Sequence, residues 1–270
     1  MSQLRVLAIH GCCLGDLPES KVSGAIREST ARALAAAGFH DVDIKAPFYG
    51  ALLNSYARAD YGAFEAIGGL EGSVDEEDLG GSKAELTSTY ESISAELHSG
   101  SGLEARLPIP DVVRELILHS FTTDVSTYLT MLRAKEAIWD VITSAWREFG
   151  EDGPDLVVAH SLGTVVTWDV MARLGGGLSR PRGLLLMGSP LYLGTVVRGV
   201  AEAPDTALPV DTAIHVYDDG DLIAGGKPIA PPFAGITDRA VENKAFPTSH
   251  DYGPYAKAAA DSGVFAELIE

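Results

Sequence analysis

With 270 residues, 46% of them hydrophobic and 21% charged, the chain can bury one large α/β core without covalent or metal staples. Its 38 acidic residues against 20 basic ones give a formal net charge of −18, which argues against nucleic acid and anionic membranes as partners, because phosphate binding needs clustered Lys and Arg. The only cysteines, Cys12 and Cys13, are adjacent. A bridge between neighbours strains the backbone, and two adjacent thiols without a matching His or Cys pair make a poor tetrahedral site, so neither a disulfide framework nor a metal is expected.

The opening stretch, MSQLRVLAIHG, has no charged segment leading into a long apolar run. Its apolar stretch is too short for a signal peptide or a membrane span, so the expectation is a strand over 4–10 in a cytoplasmic protein without a stable membrane anchor. Residues 20–37 follow as a helix, with Val22, Ile26, Ala33, Leu34 and Ala37 on one face and Gly38 suited to the position just past its end. Val42 and Ile44 suggest a second short strand, which makes a βα unit of a parallel sheet.

Residues 50–105 break this rhythm. They carry Gly pairs at 68–69 and 80–81, the acidic run DEED at 75–78 and SGSG at 99–102, and periodicity is clear only around 85–97, which suggests a helix. A connection this long is usually functional, and a cap or lid over 50–115 is expected within a single domain spanning 1–270. Phe48, Tyr49, Tyr56, Tyr61 and Phe64 cluster where such a cap would begin. Residues 111–149 read as helical, through Leu116, Ile117, Leu129, Leu132, Ile138, Ile142 and Trp146. Strands return at 155–160, 184–188 and 213–217, with a helix after the first of them that stops at Gly175-Gly176-Gly177, and a last helix over 252–269. The pattern predicts an α/β fold whose mostly parallel sheet carries helices on both faces.

Within VVAHSLGTVV, residues 157–166, Ser161 stands between a buried strand and a helix, with Ala159 and Gly163 beside it. A strand entering a helix through one tight turn leaves no room for side chains two places before and after the turn, hence the G-x-S-x-G elbow; Ala159 adds one methyl to that pattern. A serine can also simply cap the next helix. Nucleophilic attack would require a base within hydrogen-bond reach and an acid holding the base's tautomer. Two histidines lie downstream. His215 alternates within AIHVY as a strand residue, whereas His250 lies in FPTSHDYG, a loop before the last helix, and is the natural base. YDDGDLIAGG offers Asp218, Asp219 and Asp221 as the acid; a turn at Gly220 favours Asp221, and the other two stay open. An oxyanion site needs two backbone N–H groups, for which Leu162 and Cys12 are the candidates, with Gly11 letting the loop after the first strand turn closely. Cys12 is expected to act through its backbone rather than its thiol, and His10 to be structural.

In chain order, the strand ending in His10-Gly11, AHSLG, Gly188-Ser189-Pro190, DGDLIA at 219–224 and the late histidine resemble the α/β-hydrolase superfamily over most of the chain apart from 50–105. The A-x-S-x-G variant is similar to that of small bacterial lipases. HSLGTVVTWDV, MGSPL, VYDDGDLIAGG and VENKAFPTSHDYGPY resemble the lipase and serine-esterase branch that includes inositol-deacylase-like and related bacterial hydrolases. The resemblance implies Ser161 as nucleophile, His250 as base and Asp221 as acid, with hydrolysis of an ester or amide and no cofactor. Only three residues precede the first strand, so the initial antiparallel strands common in the superfamily are expected to be missing. The expected substrate is a small-molecule or lipid ester. A thioesterase, cyclase, amidase or peptidase would use the same triad, and an inactive hydrolase fold would serve as a binding module. The residues carry no reading of oligomeric state.

Overall fold

A computed structural model describes residues 3–65, 83–99, 111–174, 177–221, 223, 227–243 and 250–269. Strands β1 (Leu4–Ile9), β2 (Val42–Lys45), β3 (Leu156–His160), β4 (Gly183–Met187), β5 (Thr212–Tyr217) and β6 (Ile236–Ala240) form one six-stranded sheet, ordered β2-β1-β3-β4-β5-β6. Every pairing is parallel, with Val6 opposite Leu156, Leu156 opposite Gly183 and Gly183 opposite Thr212.

The central strands read LRVLAI, LVVAH and GLLLM, the near-continuous apolar runs of a parallel sheet covered on both faces. Alternation along each strand divides these residues between two cores. Leu7, Ile9, Val157, Ala159, Leu184 and Leu186 face one side, with helices α2 (Gly50–Glu65), α3 (Lys83–Ser99), α4 (Asp111–Thr130), α5 (Leu132–Arg147) and α6 (Leu162–Leu174). Val6, Ala8, Val158, Leu185, Met187 and Val216 face the other, where helix α1 (Glu19–Ala36) packs. A 3-10 turn at Pro190–Tyr192 leads into the short α7 (Gly194–Gly199), and α8 (Tyr252–Asp261) and α9 (Val264–Ile269) complete the α1 side.

Several elements differ from the sequence expectation. The helix expected over 252–269 breaks at Gly263, whose φ of 75° ends α8 and lets α9 turn back onto the sheet. Residues 111–149 form two helices that divide at the extended Met131. Helix α2 and strand β6 were not expected: α2 has an alanine-rich sequence that opens on glycine, and ITDRA is a short edge strand after a Pro- and Gly-rich stretch. The Gly pairs, the DEED run, residues 100–102 and Gly175-Gly176 lie outside the described residues. Among the described residues no helix is long and apolar enough to cross a membrane.

The helices that follow β2 are fastened to the rest of the sheet's helices by buried polar contacts. On α3, Glu96 accepts from the Thr195 backbone N–H at 2.9 Å, joining it to α7. Tyr128 of α4 donates to Asp169 of α6 at 2.9 Å and accepts from Trp139 of α5 at 2.9 Å. Lys135 lies 3.6 Å from the same carboxylate and donates to the Gly199 carbonyl at 3.1 Å. Burial pushes Asp169 up and Lys135 down, and each partly offsets the other's desolvation. Helix α6, which follows Ser161, is thus gripped from α4 and α5.

Strand β1 has β2 on one side and β3 on the other, so the winding direction reverses there. In an open α/β sheet such a reversal opens a crevice at the carboxyl ends of the two strands, and His10-Gly11 and Ser161 stand at these ends.

Candidate active site

Ser161 has a φ of 55°, in the left-handed region. That conformation costs a residue with a Cβ about 1 kcal/mol or more. It is held by the Ser161 N–H donating to the Met187 carbonyl at 2.9 Å, and by the Ser161 carbonyl accepting from the Thr164 N–H at 2.9 Å and hydroxyl at 2.6 Å. Two glycines make the turn possible. A Cβ on Gly163 would stand 2.3 Å from the His10 carbonyl oxygen, and one on Gly11 would stand 2.6 Å from the Ser161 Cβ. The loop after β1, the end of β3 and the start of α6 therefore close on one another only with glycine at both places. Ala159 fits its position in β3 fully buried.

His250 lies immediately before α8, and its Nε2 is 2.7 Å from the Ser161 Oγ. Its Nδ1 lies 2.9 and 2.8 Å from the two carboxylate oxygens of Asp221. With the ring proton on Nδ1, the imidazole donates to Asp221 and accepts from the Ser161 hydroxyl. Three residues spread over 89 positions of chain thus form one hydrogen-bonded path.

The three aspartates after β5 have separate environments. Asp218 accepts from the Gly220 N–H at 2.7 Å and the Asn243 N–H at 2.5 Å, so its carboxylate holds the turn together. Asp219 is exposed. Asp221 is fully buried, and besides His250 it accepts from the Ile223 N–H at 2.8 Å and the Tyr255 hydroxyl at 2.6 Å. A buried carboxylate is tolerable only when hydrogen-bonded in this way. Tyr255 was not singled out from the sequence. Burial, reinforced by the charge of Asp221, pushes its phenol well above the ordinary range, so it remains a donor.

Three other histidines, His10, His160 and His215, are buried. Burial holds His10 down at about 4; in its neutral form Nδ1 donates to the Gly11 carbonyl at 2.6 Å and Nε2 accepts from the Tyr49 N–H at 3.2 Å. Its ring stacks on Tyr49 with centroids 4.1 Å apart. His215 is buried between Asp238, 2.7 Å from its Nδ1, and the Ser189 N–H, 3.3 Å from its Nε2, so it is a satisfied core histidine. His160, next to Ser161, is buried with its centroid 4.9 Å from that of His250. Burial, then the neighbouring His250, hold it well below the ordinary histidine range, so it stays neutral beside the site.

Leu162 opens α6 and Cys12 follows Gly11, and among the described residues neither backbone N–H is taken up by a turn, cap or loop hydrogen bond. The first N–H groups of a helix attract negative charge, which suits Leu162 to an anionic oxygen. The Cys12 sulfur lies 2.9 Å from that of Cys13. Its hydrogen bond with Cys13, together with burial, pushes the Cys12 thiol well up, which disfavours a thiolate. Asp124 of α4 accepts from the Cys13 N–H at 2.6 Å, and burial raises its carboxyl to about 6. The two sulfurs and an Asp124 oxygen all lie within 4.8 Å of one another, the one donor cluster among the described residues with the spacing for a metal ion.

A hydroxyl on a strained turn, facing an imidazole that is itself held by a buried carboxylate, can transfer its proton as it attacks an electrophilic carbon. Comparison of the chain with family models, with curated proteins and with solved structures finds no match.

Proposed function

We propose that the chain is a serine hydrolase of the α/β-hydrolase superfamily, cleaving a carboxylic ester in the manner of a lipase or esterase. One observation carries this reading: the path from the Ser161 Oγ to His250 at 2.7 Å and on to Asp221 at 2.8 Å, starting from a serine held at a φ of 55°. A serine that only capped α6 would need neither the left-handed conformation nor the imidazole.

In the proposed reaction the Ser161 Oγ bonds to the ester carbonyl carbon while its proton passes to the His250 Nε2. The carbonyl electron pair moves to oxygen, where the Cys12 and Leu162 N–H groups would receive it. On collapse the carbon–alkoxide bond breaks, the alcohol leaves with the proton from His250, and the acyl group stays on Ser161. Water repeats the sequence and releases the acid, with Asp221 stabilising the imidazolium each time. No cofactor enters these steps.

The substrate class is a small-molecule or lipid ester, and residues 50–115 act as the lid. Support for the lid comes from its first helix, where Asn54 of α2 donates to Asp16 in the loop after β1 at 2.9 Å, and from the residues that flank the segment, since Tyr49 donates its N–H to His10 and Asp124 accepts from the Cys13 N–H. A cytoplasmic setting belongs to the same reading.

The test is labelling by a fluorophosphonate followed by hydrolysis of p-nitrophenyl esters of increasing chain length. The expected result is labelling of the wild type, none of Ser161→Ala, and turnover with a preferred acyl length. A wild-type protein that resists labelling would overturn the reading.

A further inference from the structure

We propose that Cys12, Cys13 and Asp124 form a binding site for a thiophilic divalent cation of the Zn2+ class, which shuts the Ser161 site when filled. Neighbouring residues of an extended chain point to opposite sides, and two adjacent cysteines then cannot share an ion. Here Cys13 has a φ of 64°, and the sulfurs come to 2.9 Å. Such a conformation is unfavourable for a residue with a Cβ. The Cys13 N–H, donating to the Asp124 Oδ2 at 2.6 Å, fixes it.

The same contact delivers the third donor. Asp124 comes from 111 residues further along the chain, so the linear sequence shows two thiols and no partner for them. Two sulfurs and a carboxylate oxygen within 4.8 Å of one another are gathered for one ion, which at bond lengths of about 2.3 Å to sulfur and 2.0–2.2 Å to oxygen would spread the sulfurs from their 2.9 Å separation and draw the oxygen in. Thiol donors select zinc and similar soft or borderline ions over magnesium or calcium. Cys13 is exposed, which leaves an entry path.

Binding exchanges protons for metal: the ion takes both sulfurs as thiolates and the carboxylate, and two thiol protons go to solvent. Affinity therefore rises with pH. Cys12 follows Gly11, where an added Cβ would stand 2.6 Å from the Ser161 Cβ, so an ion bound to Cys12 lies close to the nucleophile and fixes the Gly11–Cys13 loop. A substrate carbonyl could then not enter. This closing effect rests on the hydrolase reading, whereas the binding itself does not.

The reduced, metal-free protein would be titrated with Zn2+ against a chromogenic zinc indicator. One equivalent should bind, at least tenfold more weakly in Cys13→Ser and in Asp124→Asn, and unchanged in Ser161→Ala. Zn2+ should slow fluorophosphonate labelling of Ser161 at least tenfold, EDTA should restore it, and Cys13→Ser should escape the effect. The absence of saturable one-equivalent binding, or binding indifferent to both ligand variants, would overturn the site. Binding that leaves labelling unchanged would overturn the closing effect. If Ser161 does not label even without zinc, the hydrolase reading fails, and the indicator titration still decides the site.

Discussion

The Tyr255 hydroxyl donates to the Asp221 Oδ2 at 2.6 Å, from a helix that begins two residues after His250. The helix that carries the His250 loop at its start thus also supplies a donor to Asp221. Removing the hydroxyl with Tyr255→Phe leaves the ring in its core, takes one charge-assisted bond from a buried carboxylate and removes the acceptor of the Asp218 N–H, 3.2 Å away. Loss of such a bond costs about 1.5–3 kcal/mol. Urea denaturation should show a loss of this size, and Ser161 labelling should slow. Unchanged stability would mean that another donor replaces the phenol.

Ser161 itself sets up a second comparison. At a φ of 55° any residue with a Cβ is strained and glycine is not. Ser161→Gly should therefore be more stable than Ser161→Ala by about 1 kcal/mol, while both lose labelling. Equal midpoints in urea for the two variants would show that the turn carries no such strain.

The aspartates after β5 should separate by role. On the proposed reaction Asp221→Asn should lower kcat by roughly 10⁴, the cost of losing a tautomer-holding acid. Asp219→Asn, at an exposed position, should act like the wild type. Asp218→Asn should retain turnover but lower stability, because its carboxylate ties Gly220 to Asn243. Ester hydrolysis and urea melts on the three variants give the answer, and a larger kcat loss at Asp218 or Asp219 would reassign the acid.

The limits of the sequence are visible in the same residues. The apolar runs of β1, β3 and β4 and the small residues around Ser161 are local signals, and they located the sheet and the elbow. His250 followed by elimination, since His215 sits inside a strand. The choice among Asp218, Asp219 and Asp221 depends on how the turn folds against Asn243 and Tyr255, which no local pattern encodes. Asp124 beside Cys13 is a meeting of distant segments and was equally hidden. Strand β6 escaped notice because an edge strand needs only one buried side, and its alternation ITDRA is too short to stand out.

Buried neutral histidines make the fold sensitive to acid in a definite window. His10 is held at about 4 against 6.5 in an open chain. As pH falls from 6.5 towards 4 the unfolded state takes up a proton that the folded state refuses, so stability is lost as pH falls. Full loss at this one site is about 3 kcal/mol, at 1.36 kcal/mol per unit. His160 and His215 are lowered by burial too and act in the same direction. Asp124 acts oppositely: with its carboxyl raised to about 6, the folded state takes up the proton first, and stability is gained as pH falls through 6. The measurement is therefore a difference, comparing metal-free wild type with His10→Gln by urea denaturation at pH 7.5, 5.5 and 4.5. Gln at this position keeps a donor and an acceptor but does not titrate. Wild type should lose stability relative to the variant at each step down. Parallel pH profiles would show that His10 takes up its proton as readily in the folded chain as in the unfolded one.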